Sequence, residues 1–148
     1  MGSTWFAGSI ALVAGVAGAV QVAVMGRFGE RIGSLEALAF STVLTALIAG
    51  VALVATRRSA DGYGEALRSP RWMWIGALMG AVIVLAITVA GPRIGVLATT
   101  GLLIVGQLGA ATLVDRFGLF GVERIGISAT KAVGLALLAV GAVLTLRR

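Results

Sequence analysis

The stretch IGVLATTGLLIVGQLGAATLV, residues 94–114, is 21 residues long and carries no charge. A helix needs about 20 mostly apolar residues to cross a hydrocarbon core of roughly 30 Å, so this run reads as a transmembrane helix. Its surroundings repeat the pattern, with apolar runs 5–25, 35–55, 72–90 and 125–146 that have 21, 21, 19 and 22 residues. Together the five runs hold 104 of 148 residues, and the loops between them have 9, 16, 3 and 10. The expectation is an all-α integral membrane protein of five transmembrane helices, one domain over residues 1–148, with loops too short for a folded soluble part. The first run is expected to be retained and not cleaved as a signal peptide, because Met1 to Gly8 has no Lys or Arg and the apolar run is too long.

Composition agrees. The chain is 59% hydrophobic and 12% charged, with a mean hydropathy of +1.05, whereas soluble domains run near 25% charged. It has no Cys and no His, which excludes disulfide scaffolds, thiol chemistry, histidine bases and the usual zinc or haem sites. There is no Walker loop, no Gly-x-Ser-x-Gly, no dinucleotide fingerprint and no pair of acids in mid-membrane. The sequence therefore predicts no enzyme, no cofactor and no metal, and confines the chemistry to binding and movement. A net charge of +6 could suit nucleic acid, but the basic residues are scattered between apolar runs and form no single basic face, so no nucleic-acid partner is expected. In the longest loop, Asp61-Gly62-Tyr63-Gly64 contains the Gly-Tyr-Gly of potassium-channel filters without a preceding Thr-Val or a pore helix, and is read as a plain turn.

Only Glu36 and Lys131 are charged within the spans, and each break carries charges with Gly or Pro, as in Gly26-Arg27-Phe28-Gly29-Glu30-Arg31 and Gly91-Pro92-Arg93. Five spans put the termini on opposite sides. The N-terminal side then holds six arginines (57, 58, 68, 71, 116 and 124) and the C-terminal side five (27, 31, 93, 147 and 148), with Lys131 adding one to the first if it snorkels there. Orientation is set by an excess of Lys and Arg in short loops, so this near balance predicts insertion both ways. A fixed topology dominated by the four arginines of the second loop is the alternative.

Helices in lipid associate through small residues that let backbones approach. On the first span Gly8, Ala11, Gly15 and Gly18 fall in one stripe at about 100° per residue, flanked by Gln21, and this stripe is expected to face protein. Gly76 and Gly80 make a Gly-x-x-x-Gly on span three, and Gly134 and Gly141 share a stripe with Lys131 on span five. Polar groups in hydrocarbon must find partners or water, which marks the few here as candidates for a bundle interior. Thr100 and Gln107 share a face of span four, with Asp115 at its end. Lys131 lies six residues past Ile125, about 9 Å along the helix, and either lines a cavity or snorkels to the surface. Glu36 falls in the first turn of span two, where the helix dipole favours an acid. Asp115 begins the loop leading to the Lys131 helix, which makes an ion pair between them geometrically easy.

Three stretches together resemble the YdcZ-like family, the five-helix branch of the drug/metabolite transporter superfamily. They are Gln21-Val22-Ala23-Val24-Met25-Gly26-Arg27-Phe28-Gly29, then Gly106-Gln107-Leu108 running to Asp115-Arg116-Phe117-Gly118-Leu119-Phe120-Gly121, and Lys131-Ala132-Val133-Gly134 running to Gly141. Departures from the family pattern are Met25 for Asn, Arg116 for His and Lys131 for Arg; the last keeps the charge. The resemblance implies a transporter-like fold in the bacterial inner membrane, with members that occur as single dual-topology chains, as pairs or as fused ten-helix proteins. The four-helix relatives of the same superfamily hold cations with a glutamate in mid-helix one, where this chain reads Ala11-Leu12-Val13-Ala14-Gly15, so an anionic or neutral polar substrate is expected.

Secondary transporters often combine inverted repeats around a midplane site, and a five-span chain can supply that symmetry by pairing with an inverted copy. The expected assembly is an antiparallel ten-helix homodimer that carries a small metabolite by alternating access. Gln21, Thr100, Gln107 and Lys131 are the expected substrate-binding residues, and Glu36 and Asp115 candidates for ion coupling or pairing. Its partners are an inverted copy, membrane lipid and a small-molecule substrate. The alternatives are a non-transporting membrane interaction subunit and a passive channel.

Overall fold

A computed structural model describes residues 2–57 and 61–146. Helix α1 (Gly2–Ile32) is followed by α2 (Ser34–Arg57), the short α3 (Asp61–Arg68), a single 3-10 turn (Arg71–Trp74), α4 (Ile75–Ile94), α5 (Val96–Phe117), a second 3-10 turn (Leu119–Gly121) and α6 (Ala129–Leu144). Stretches Thr4–Ile32, Ser34–Thr56, Arg71–Ile94 and Val96–Phe117 are long and apolar enough to cross a membrane. Large apolar side chains on all four stand exposed, among them Phe6, Leu47, Met79 and Leu97. In water such surface would be costly, whereas against lipid tails it costs nothing. Arg58, Arg147 and Arg148, which enter the charge balance, lie outside the described residues.

The charged and glycine-bearing segment after span one does not break the helix. It remains α-helical to Ile32, and Arg27 donates to Glu30 at 3.1 Å across one turn. Charge ends compatibility with lipid, but it does not end helix propensity. Nor does the chain break at Gly91-Pro92, because Pro92 lies inside α4 and the helix runs to Ile94. The break falls instead at Gly95, whose φ of 85° only glycine adopts readily. Asp61-Gly62-Tyr63-Gly64, read as a turn, forms the first half of α3.

The fifth predicted run is only partly helical. Residues 122–128 are not helical, and α6 begins at Ser128, whose hydroxyl caps the helix by accepting from the Lys131 backbone at 3.3 Å. Ser at that position satisfies one of the orphan donors of the first turn. The return loop is tied down by the Ile125 amide donating to the Asp115 carbonyl at 2.9 Å, and by Gly118 in the left-handed conformation closing α5. What remains is a 16-residue α6, about 24 Å long and short of a full membrane crossing.

The described chain forms two compact units, Met1–Ala23 with Arg93–Arg148, and Val24–Pro92. In the first, α5 packs along α6, and a Cβ at Gly101 would stand 3.5 Å from that of Ala142. In the second, the end of α1 lies against the end of α4. A Cβ at Gly26 would stand 3.1 Å from Pro92 Cδ, and one at Gly29 would overlap the Thr88 methyl. Thr88 and Ile87 are fully buried there.

Candidate substrate-binding site

Alpha-helices α5 and α6 diverge enough to leave a groove of about 460 Å³, lined by Leu97, Thr100, Ile104, Leu138 and Thr145 among others. The volume lies in the range of small-molecule pockets, and the lining is almost wholly apolar. The sequence explains the spacing. Gly101 admits Ala142 closely at one point, and the side chains of Leu97, Ile104 and Leu138 line the groove beside it.

The threonine hydroxyls of α5, and that of Thr145 after α6, differ in one respect. Thr99 Oγ1 donates to the Gly95 carbonyl at 2.8 Å, Thr112 Oγ1 to Leu108 at 2.7 Å and Thr145 Oγ1 to Ala142 at 2.6 Å. Each satisfies itself on its own helix, which is the usual answer for a hydroxyl in an apolar setting. Thr100 Oγ1 is buried and has no hydrogen-bond partner. A buried polar group left unmatched costs about 1–3 kcal/mol, which sets Thr100 apart from its neighbours.

Of the residues predicted to bind substrate, Thr100 lines the groove. Gln107 lies seven residues, or about two helical turns, farther along α5 on nearly the same side and is exposed outside the groove lining. Lys131 is exposed in the first turn of α6, closer to the helix end than a helix starting at Ile125 would place it. Gln21 is exposed on α1. Glu36 takes the first turn of α2, as its sequence position suggests, and its carboxylate folds over Gly33. Asp115 is half-buried in the last turn of α5 and makes no ion pair with Lys131. Sequence reasoning missed the groove and its Thr145; the signal available was the pair of small residues Gly101 and Ala142 flanked by Leu and Ile.

The glycine stripe Gly8, Gly15 and Gly18 has nothing within 4 Å of where a Cβ would stand, and the same holds for Gly76, Gly80, Gly134 and Gly141. Among the described residues no group of three or more Asp and Glu stands close enough to hold a metal ion.

Four apolar helices of membrane length among the described residues, with a groove between α5 and the shorter α6, define a multi-pass helical membrane protein. Residues 6–144 match the family described as "Putative inner membrane exporter, YdcZ", and the chain belongs to that family. It is accordingly a multi-pass inner-membrane protein of a transporter family. No curated protein and no solved structure matches the chain.

Proposed function

We propose that this transporter is a secondary carrier of a small polar metabolite that works by alternating access as an inverted homodimer. The supporting observation is the exposed face of α1, where Gly8, Gly15 and Gly18 leave an open channel beside Gln21. An amide and a smooth glycine stripe on a membrane helix are poorly matched to lipid and well matched to another helix. The nearly balanced arginines allow that helix to belong to a copy inserted the other way up. In the resulting pair Thr100, Gln107 and Lys131 of one protomer line the cavity, with Lys131 at its rim, and the partner's Gln21 closes it. Glu36 and Asp115, each near a helix end, are the candidates for ion coupling.

The test is uptake into liposomes loaded by purified protein and challenged with pooled metabolites, followed by fractionation to the transported compound. Lys131→Met should abolish uptake while the dimer still forms, and Gln107→Leu should weaken substrate binding by about 0.5–1.5 kcal/mol through loss of one hydrogen bond. Normal uptake by Lys131→Met would leave Lys131 as a snorkelling surface residue.

A further inference from the structure

The segment between α2 and α4 differs from the rest of the molecule. On α3, at about 100° per residue, Tyr63, Ala66 and Leu67 fall on one side and Glu65 and Arg68 on the other, a segregation that none of the membrane-length helices has. Pro70 ends the helix and starts the 3-10 turn Arg71–Trp74, and the Trp74 indole nitrogen then donates to the Ala66 carbonyl at 3.3 Å. That bond folds the start of the α4 span back onto the apolar side of α3. Tyr63, Leu67, Trp72 and Trp74 all remain substantially exposed. Because α4 enters the membrane directly after this turn, the folded-back segment lies at the level of the membrane surface.

We infer that α3 and the 3-10 turn form a foot that docks on an anionic phospholipid surface. Three features select that occupant. The foot exposes Tyr63, Trp72 and Trp74, residue types that favour the membrane–water boundary because their rings are apolar and their polar edges are wet. A short helix with apolar and charged sides opposed lies in the plane of that boundary. Charge supplies the headgroup preference. Residues 57–74 hold four arginines against two acids, and Arg68 and Arg71 are exposed and make no ion pair with Glu65. A guanidinium reads a phosphate with two parallel hydrogen bonds, so these two arginines suit phosphate oxygens in the headgroup layer. The foot fixes the depth of the first residues of α4, and it does so whichever way up the chain is inserted.

The chain has three tryptophans, at positions 5, 72 and 74, which makes the test direct. Protein carrying Trp5→Phe and Trp72→Phe, with Trp74 as its one indole, is reconstituted into phosphatidylcholine vesicles. These contain an equal fraction of either phosphatidylglycerol or phosphatidylcholine brominated near the headgroup end of the chain. Trp74 should be quenched by both and more strongly by the phosphatidylglycerol. Each of Arg68→Gln and Arg71→Gln should lower the relative affinity for the anionic lipid roughly fivefold, and molar salt should do the same on the unsubstituted arginines without any risk to folding. A chain with Trp5 as its one indole should show no headgroup preference. Equal quenching by the two headgroups would overturn the proposal. So would quenching of Trp74 by aqueous acrylamide to the extent of free indole, or shielding from bromine and acrylamide alike, which would put a second copy of the chain on the foot.

Discussion

Helix α1 carries two sets of glycines, and they meet different fates. Gly26 and Gly29, near its end, are occupied: α4 approaches so closely that a methyl group at Gly29 would overlap Thr88, and one at Gly26 would press on Pro92. Gly8, Gly15 and Gly18, nearer its start, have open space where a side chain would be. The first set holds the chain's own tertiary structure together. The second set is spare for the chain by itself, and spare glycine in a helix is a cost of roughly 0.5–1 kcal/mol against alanine. Residues that cost stability and touch nothing are the ones to assign to a partner or to movement.

This contrast is open to attack by substitution, starting at the occupied set. Gly29→Leu should destabilise the protomer by about 1–3 kcal/mol, since the new side chain has to displace the buried Thr88, and unfolding in mild detergent by denaturant titration measures it. Gly15→Leu should leave protomer unfolding unchanged or slightly more stable, yet abolish crosslinked dimer in membranes. If both substitutions destabilise the protomer equally, the two glycine sets are not different in kind.

A smaller effect sharpens the same distinction at the groove. Thr100→Val keeps the shape and removes a buried hydroxyl that has no partner among the described residues, so it should stabilise the protomer by about 1 kcal/mol while reducing uptake. The matched change Thr99→Val deletes a hydroxyl bonded to Gly95 and should not stabilise. Gain at both positions would show that the Thr100 hydroxyl is nothing special.

The two glycine sets also show what the sequence carried. Hydropathy and length placed α2, α4, α5 and the start of α1 within a few residues, because the rule behind them is the thickness of lipid, whereas α1 runs seven residues past the expected end. It did not see that α6 starts at Ser128, since Ile125 and Ile127 are as apolar as the helix that follows and only the Ser128 cap and the Ile125–Asp115 bond decide the boundary. Nor did it see that α1 and α4 stay helical through Arg27, Glu30 and Pro92, because membrane compatibility and helix formation were read as one property. For the candidate site, Thr100 and Gln107 were legible as polar residues on one side of an apolar helix. The groove beside Thr100 was not, because it depends on how α5 and α6 pack around the Gly101–Ala142 approach, and that is a fact about packing. Small residues were legible as packing positions, but not which of them the protomer itself would use.

Orientation tests most directly whether the open face of α1 meets an inverted copy. The chain has no cysteine, so a single one introduced at Gly64 in α3 is the only thiol. Intact cells are treated with a membrane-impermeant maleimide, then lysed and labelled again with a second one. About half of the chains should react before lysis and the rest after it, as equal populations in the two orientations require. Labelling of all chains before lysis, or of none, would contradict it.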